Sequence, residues 1–147
     1  CLDISALAQA MTLGDADWEA RVLAANHLLS RTPLPVDTQD VVAASQWEER
    51  HRAFPLALIS GCGSNWLLRL HAQLADHSER YRTIRILHHR ERESQVRDVA
   101  AEHTAITEAV LARNIALAGE LMTRHIANTA VAMEQIFEPK ARGRKSA

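Results

Sequence analysis

The chain has 147 residues, 47% of them hydrophobic, 24% charged and 4% aromatic, with a formal net charge of −1. That is enough apolar material for one sizeable core, while no apolar run approaches the ~20 residues that cross a bilayer. Near-neutrality excludes a nucleic-acid surface spread over the whole chain, and two cysteines, Cys1 and Cys62, exclude a disulfide framework and point to a reducing, cytoplasmic setting.

Scarce aromatic and glycine residues beside plentiful Ala, Leu, Arg and Glu favour helix over strand. The chain begins with Cys1 rather than Met, so we expect a fragment whose N-terminal portion is missing. Leu2 to Leu13 reads as a short helix closed by Gly14. Asp15 or Asp17 caps the next helix, in which Trp18, Val22, Ala25 and Leu29 step by 4, 3 and 4 residues and form the buried face. His27 lies off that face and reads as a surface residue. Pro33 and Pro35 break the helix.

Asp37 or Thr38 is expected to cap a third helix that runs to about Ser60, with Trp47, His51, Phe54 and Leu58 inward. Pro55 sits inside it, four residues after His51, and has no N–H to give the His51 carbonyl, so a kink is expected there. Gly61-Cys62-Gly63-Ser64 is a tight connection. A fourth helix spans Asn65 to about His88, with Leu67, Leu70, Leu74, His77, Tyr81 and Ile84 on one side. A charged stretch follows, from His88 to Glu93. Two more helices cover roughly Ser94 to Ala112 and Ile115 to Phe137, separated near Arg113-Asn114. Residues 139–147 form a basic tail expected to be disordered, which leaves one domain over residues 1–138. No alternating segment and no internal repeat appears. The expected fold class is all-α, an antiparallel bundle of about six helices.

Two stripes near the C-terminal end concentrate the chemistry. Val96, Val99, His103, Ile106 and Val110 share one helix face, as do Ala118, Met122, His125 and Thr129. Each carries a single histidine, and the third helix repeats the device with His51. Burying an imidazole without a partner is costly. Taken singly, each histidine is explained by a bond to a core carbonyl or carboxylate. Taken together, three on matched stripes equally fit a shared metal site, because neutral imidazole suits Zn²⁺ or Ni²⁺ and three nitrogens leave positions open for water or a carboxylate.

Other candidates carry less. Glu102 projects from another face and reads as a solvated or capping-region carboxylate. Arg80 and Arg82, flanking Tyr81, offer charge for an anionic ligand, although a surface cluster is the plainer account. There is no glycine-rich phosphate loop, no His-Glu-x-x-His helix and no Cys-x-x-Cys pair. Ser60, Ser64 and Cys62 show no triad arrangement.

In order along the chain, these residues resemble a known family. Gly14-Asp15 with Trp18 opens the match. His51-Arg52-Ala53-Phe54-Pro55-Leu56-Ala57-Leu58, followed by Gly-Cys-Gly-Ser-Asn-Trp-Leu, is similar to an Asp-x-x-Phe-His-x-x-Leu and Ser-Gly-Asn-x-x-Leu run. Glu102-His103-x-x-Ile106, then Ala118, Met122 and His125-Ile126, is similar to a Glu-His-x-x-Ile and Ala-x-x-x-Met-x-x-His segment, with the same 22-residue interval between histidines. The pattern resembles the FCD domain, the helical C-terminal effector domain of FadR-type regulators in the GntR superfamily.

The resemblance implies an effector-sensing domain of a bacterial transcription regulator rather than an enzyme. It implies a small carboxylate effector, a divalent metal held by one Asp and three His, a homodimer, and operator DNA bound by an N-terminal winged helix-turn-helix absent from this chain. No membrane partner is implied. His103 and His125 carry over as ligands. His51 stands in the family's Asp position, and Pro55 stands where its first His belongs, so the expected metal set is His51, His103 and His125, with Arg80, Tyr81 and Arg82 as the ligand-binding group. The alternative is a metal-assisted hydrolase or isomerase using the same histidines, although no general base is evident beside them.

Overall fold

Three aspartates start three of the helices. Asp15, Asp40 and Asp98 each accept a hydrogen bond from the backbone N–H three residues on, at 2.8, 2.9 and 2.9 Å. Each therefore satisfies one of the N–H groups that a helix start leaves without an internal partner. The computed structural model describes residues 2–33, 40–87 and 98–137, with side chains described except at 78–87, 133 and 135–137. Over these residues the helices are α1 (Leu2–Leu13), α2 (Ala16–Ser30), α3 (Val41–Ile59), α4 (Asn65–Leu87), α5 (Val99–Leu111) and α6 (Ile115–Phe137). No strand occurs among the described residues, so the fold is an all-α bundle.

The core is assembled from the stripes anticipated for α2, α3, α5 and α6. Trp18, Val22 and Leu29 of α2 meet Trp47, Phe54 and Leu58 of α3, with Ile106 and Val110 of α5, Ala118 and Met122 of α6, and Leu7, Ala10 and Met11 of α1 closing the cluster. The principal packed pairs are α2 with α3, α5 with α6 and α3 with α4, while α1 bridges α3 and α6. Trp18 is the centre of this arrangement. It is fully buried, and its indole N–H reaches the Ala57 and Leu58 carbonyls at 3.1 and 3.3 Å. Those carbonyls lie in the last turn of α3, where the regular helical donors run out; the Ala57 carbonyl also accepts from the Ser60 N–H and hydroxyl, at 3.2 and 2.9 Å.

Gly14 serves that packing rather than a left-handed turn. A Cβ there would stand 2.3 Å from the Trp18 ring and 2.6 Å from the Ala10 carbonyl oxygen. Among the described residues the left-handed positions are Gly63, at φ 71°, in the α3–α4 connection and Arg113, at φ 54°, between α5 and α6. The Arg113 guanidinium donates to the Met11 and Gly14 carbonyls at 2.7 and 2.9 Å and to the Glu19 carboxylate, and lies 4.8 Å from the centre of a Trp18 ring. One side chain thus joins the α5–α6 turn to α1 and α2.

Three expectations are corrected. Asp40, not Asp37 or Thr38, caps α3, and the latter two lie outside the described residues. The inward face of α4 fades along its length: Leu67 and Leu70 are half-buried, whereas Leu74 is 52% exposed and His77 is exposed. Leu74 and His77 thus lie at the surface, where a purely periodic reading placed them in the core. The fifth helix starts at Val99 on its Asp98 cap, and Val96 lies outside the described residues, as do residues 138–147.

Candidate metal centre

His103 is placed by α5, on the same face as the buried Ile106 and Val110, and is itself buried. His51 comes from α3 and His125 from α6; both are half-buried. The structure brings the three together. The ring centres of His51 and His103 are 5.6 Å apart and those of His103 and His125 are 4.8 Å apart. One ring nitrogen from each lies within 4.8 Å of the corresponding nitrogens of the other two. Among the described residues this is the one such group of potential ligands.

Aromatic neighbours fix two of the rings. Trp47 stacks on His51 at 4.5 Å with 18° between planes, one helical turn away on the same stripe of α3. Phe54 packs against His103 at 4.8 Å. The third ring is held by a carboxylate. Glu102 Oε2 lies 2.8 Å from His125 Nδ1, and Asn128 donates from Nδ2 to the other carboxylate oxygen at 3.2 Å. Of the two readings of Glu102, the solvated one is thereby corrected: it lies in the first turn of α5, its side chain is only 21% exposed, and it joins α5 to α6.

The donor set fits a borderline divalent ion. Imidazole nitrogens bind Zn²⁺ at about 2.1 Å, which puts the edge of a tetrahedron near ~3.4 Å. The nitrogens here lie within 4.8 Å of one another, so ring rotation of about 1 Å is enough to bring the most distant pair onto one ion. Three imidazoles leave at least one coordination position for water or a carboxylate oxygen. Pro55 lies inside α3, one turn after His51, and adds no ligand.

The other described histidines stand apart. His71 Nδ1 is 3.0 Å from Asp3 Oδ1 and ties α4 to α1, while His27 and His77 are exposed. The side chains of Arg80, Tyr81 and Arg82 lie outside the described residues, although their backbone belongs to α4. Sequence reasoning missed the Glu102–Asn128 pair and the burial of Glu48, three residues before His51 on α3. Glu48 sits four residues after Ala44, in the same helical row as a buried residue, and that spacing was a usable signal. Nothing comparable marked Glu102, which meets its partners across an interhelical contact.

Comparison with known proteins agrees with this architecture. The FCD domain family matches residues 2–128. Over 134 residues the chain is 37% identical to the uncharacterized HTH-type transcriptional regulator BphR of Paraburkholderia xenovorans (strain LB400), covering 91% of this chain and 53% of that protein. Over 117 residues it is 38% identical to the HTH-type transcriptional repressor GlaR of Escherichia coli (strain K12), covering 80% of this chain and 52% of that protein. The chain therefore spans about half the length of the curated relatives it matches. No solved structure matches significantly. With the family match extending from the first turn of α1 into α6, the chain belongs to the FCD domain family.

Proposed function

We propose that this domain senses a small carboxylate effector through a divalent metal held by His51, His103 and His125, and that effector binding alters DNA binding by a separate helix-turn-helix domain. The observation that carries the reading is the convergence of three imidazoles from three helices, with their nitrogens within 4.8 Å of one another. Clustering like donors in a bundle interior has little value for packing alone, since apolar side chains fill such space without polar groups to satisfy. A metal there supplies a positive centre that accepts a carboxylate oxygen. Both relatives are named as HTH-type transcriptional regulators, one of them as a repressor, which favours regulation over catalysis. The regulatory effect is then a coupling free energy between the effector site and the DNA-binding site. We further propose that the domain works as a two-fold dimer, the commonest closed arrangement of soluble proteins.

Metal binding is tested by calorimetric titration of the metal-stripped protein with Zn²⁺ and Ni²⁺, followed by a panel of small mono- and dicarboxylates. The expected result is one ion per chain, lost in His103→Ala, and carboxylate binding only to the metal-loaded form. Trp47, stacked on His51, provides a second readout, because a paramagnetic ion bound there quenches its fluorescence. Carboxylate binding that is unchanged in metal-stripped protein refutes the metal-mediated reading. Turnover of any panel member points instead to an enzyme.

A further inference from the structure

Glu102 and His125 sit on different helices, and their contact has a chemical consequence beyond holding α5 against α6. A carboxylate without a proton can only accept hydrogen bonds. With Glu102 Oε2 at 2.8 Å from His125 Nδ1, that ring nitrogen must carry the hydrogen. In the neutral imidazole the lone pair then resides on Nε2, the ring's remaining ligating atom. Asn128 donates to the second carboxylate oxygen at 3.2 Å, which stops the carboxylate from turning away. Both partners are largely shielded, at 14% side-chain exposure for His125 and 21% for Glu102, so water competes poorly for the same positions. His103 lies close to the same ring, at 4.8 Å between centres.

We propose that Glu102, braced by Asn128, is a positioning residue that selects the Nδ1–H tautomer of His125 and aims its Nε2 at the centre shared with His51 and His103. The consequence for metal binding rests on the function proposed above; the tautomer choice does not. A carboxylate behind a ligating imidazole also strengthens the ring as a donor, and removing such a partner typically weakens metal binding by about 10–100-fold. The Glu102 position matters through its charge and its reach across to α6, whereas His103, the next residue, faces the core directly.

The test uses ¹⁵N-labelled, metal-free protein at a pH where histidine is neutral, with long-range ¹H–¹⁵N correlations assigning the proton on each ring. The parent is expected to show His125 protonated on Nδ1. If its proton sits on Nε2 instead, the proposal is overturned without any variant. Glu102→Ala is expected to shift His125 toward the Nε2–H form usual for free imidazole and to raise the Co²⁺ dissociation constant about 10–100-fold with helicity unchanged. Glu102→Gln, which retains an acceptor oxygen without the charge, is expected to recover part of both. Unchanged tautomer and unchanged Co²⁺ affinity in Glu102→Ala overturn the positioning role. Absence of Co²⁺ binding to the parent overturns the metal reading instead, and the tautomer measurement then decides the positioning claim by itself.

Discussion

Two polar regions of this bundle are built on opposite principles. Around Arg113, one cation is met by unlike groups: two backbone carbonyls, the Glu19 carboxylate and the face of Trp18. The chain supplies the complement of that charge itself. Around His103, by contrast, three side chains of the same kind are gathered from three helices, with the Glu102 carboxylate behind His125. On the function proposed above, such a cluster complements a cation from outside the chain. A polar group that serves stability is recognised by its complementary partners. A ligand site is recognised by the repetition of one donor.

The largest effect that sharpens this contrast comes from Trp18→Ala. Removing the fully buried indole, with its bonds to the end of α3, is expected to cost about 3–5 kcal/mol. A lower denaturation midpoint at unchanged slope is the measurement. His103→Ala should behave differently. Its distinctive loss is the metal-dependent part of stability, which amounts to about 2.7 kcal/mol at a metal concentration 100 times the dissociation constant. If added Zn²⁺ or Ni²⁺ stabilises parent and His103→Ala equally, the two regions do not differ in the way described.

Next in size is Pro55. Pro55→His supplies an imidazole one turn from His51 and is expected to tighten Zn²⁺ or Ni²⁺ binding by about tenfold or more. Pro55→Ala returns the backbone donor without the ligand, so it should gain helix stability and leave metal affinity near the parent value. Equal calorimetric affinities for the two variants show that position 55 does not face the cluster.

The smallest effect is expected at Arg113. Arg113→Ala deprives the Met11 and Gly14 carbonyls and Glu19 of a donor. Because the side chain is about one-third exposed, water replaces part of what is lost, and the expected cost is about 1–2 kcal/mol. Arg113→Gly should cost less than Arg113→Ala, since glycine adopts the left-handed φ of 54° without a Cβ penalty. Metal affinity should not change in either variant. A loss of affinity comparable to that of His103→Ala would mean that the two regions form a single coupled unit.

Local rules explain where sequence reading succeeded. Gly14 and Asp15 mark the α1–α2 boundary because a cap acts within three or four residues. The α3 cap was misplaced because Asp37, Thr38 and Asp40 all carry side chains able to accept the same bond, and local chemistry does not rank them. The α4 stripe was read as buried through His77 because periodicity reports which residues share a face, not how far a neighbour extends over it.

The amino-acid sequence by itself determined six helices, the inward placement of His51, His103 and His125, and the motifs that place the chain in its family. Helical periodicity and capping are settled within a few residues, so no distant contact is needed to read them. Only the tertiary structure decided that the three histidines meet, that Glu102 lies behind His125 and that Arg113 closes onto Trp18. Those contacts join residues 22 to 102 positions apart, among them His103 with His125 and Met11 with Arg113. Their distances follow from how whole helices pack through their interlocking side chains, a relation that spacing along one chain does not contain.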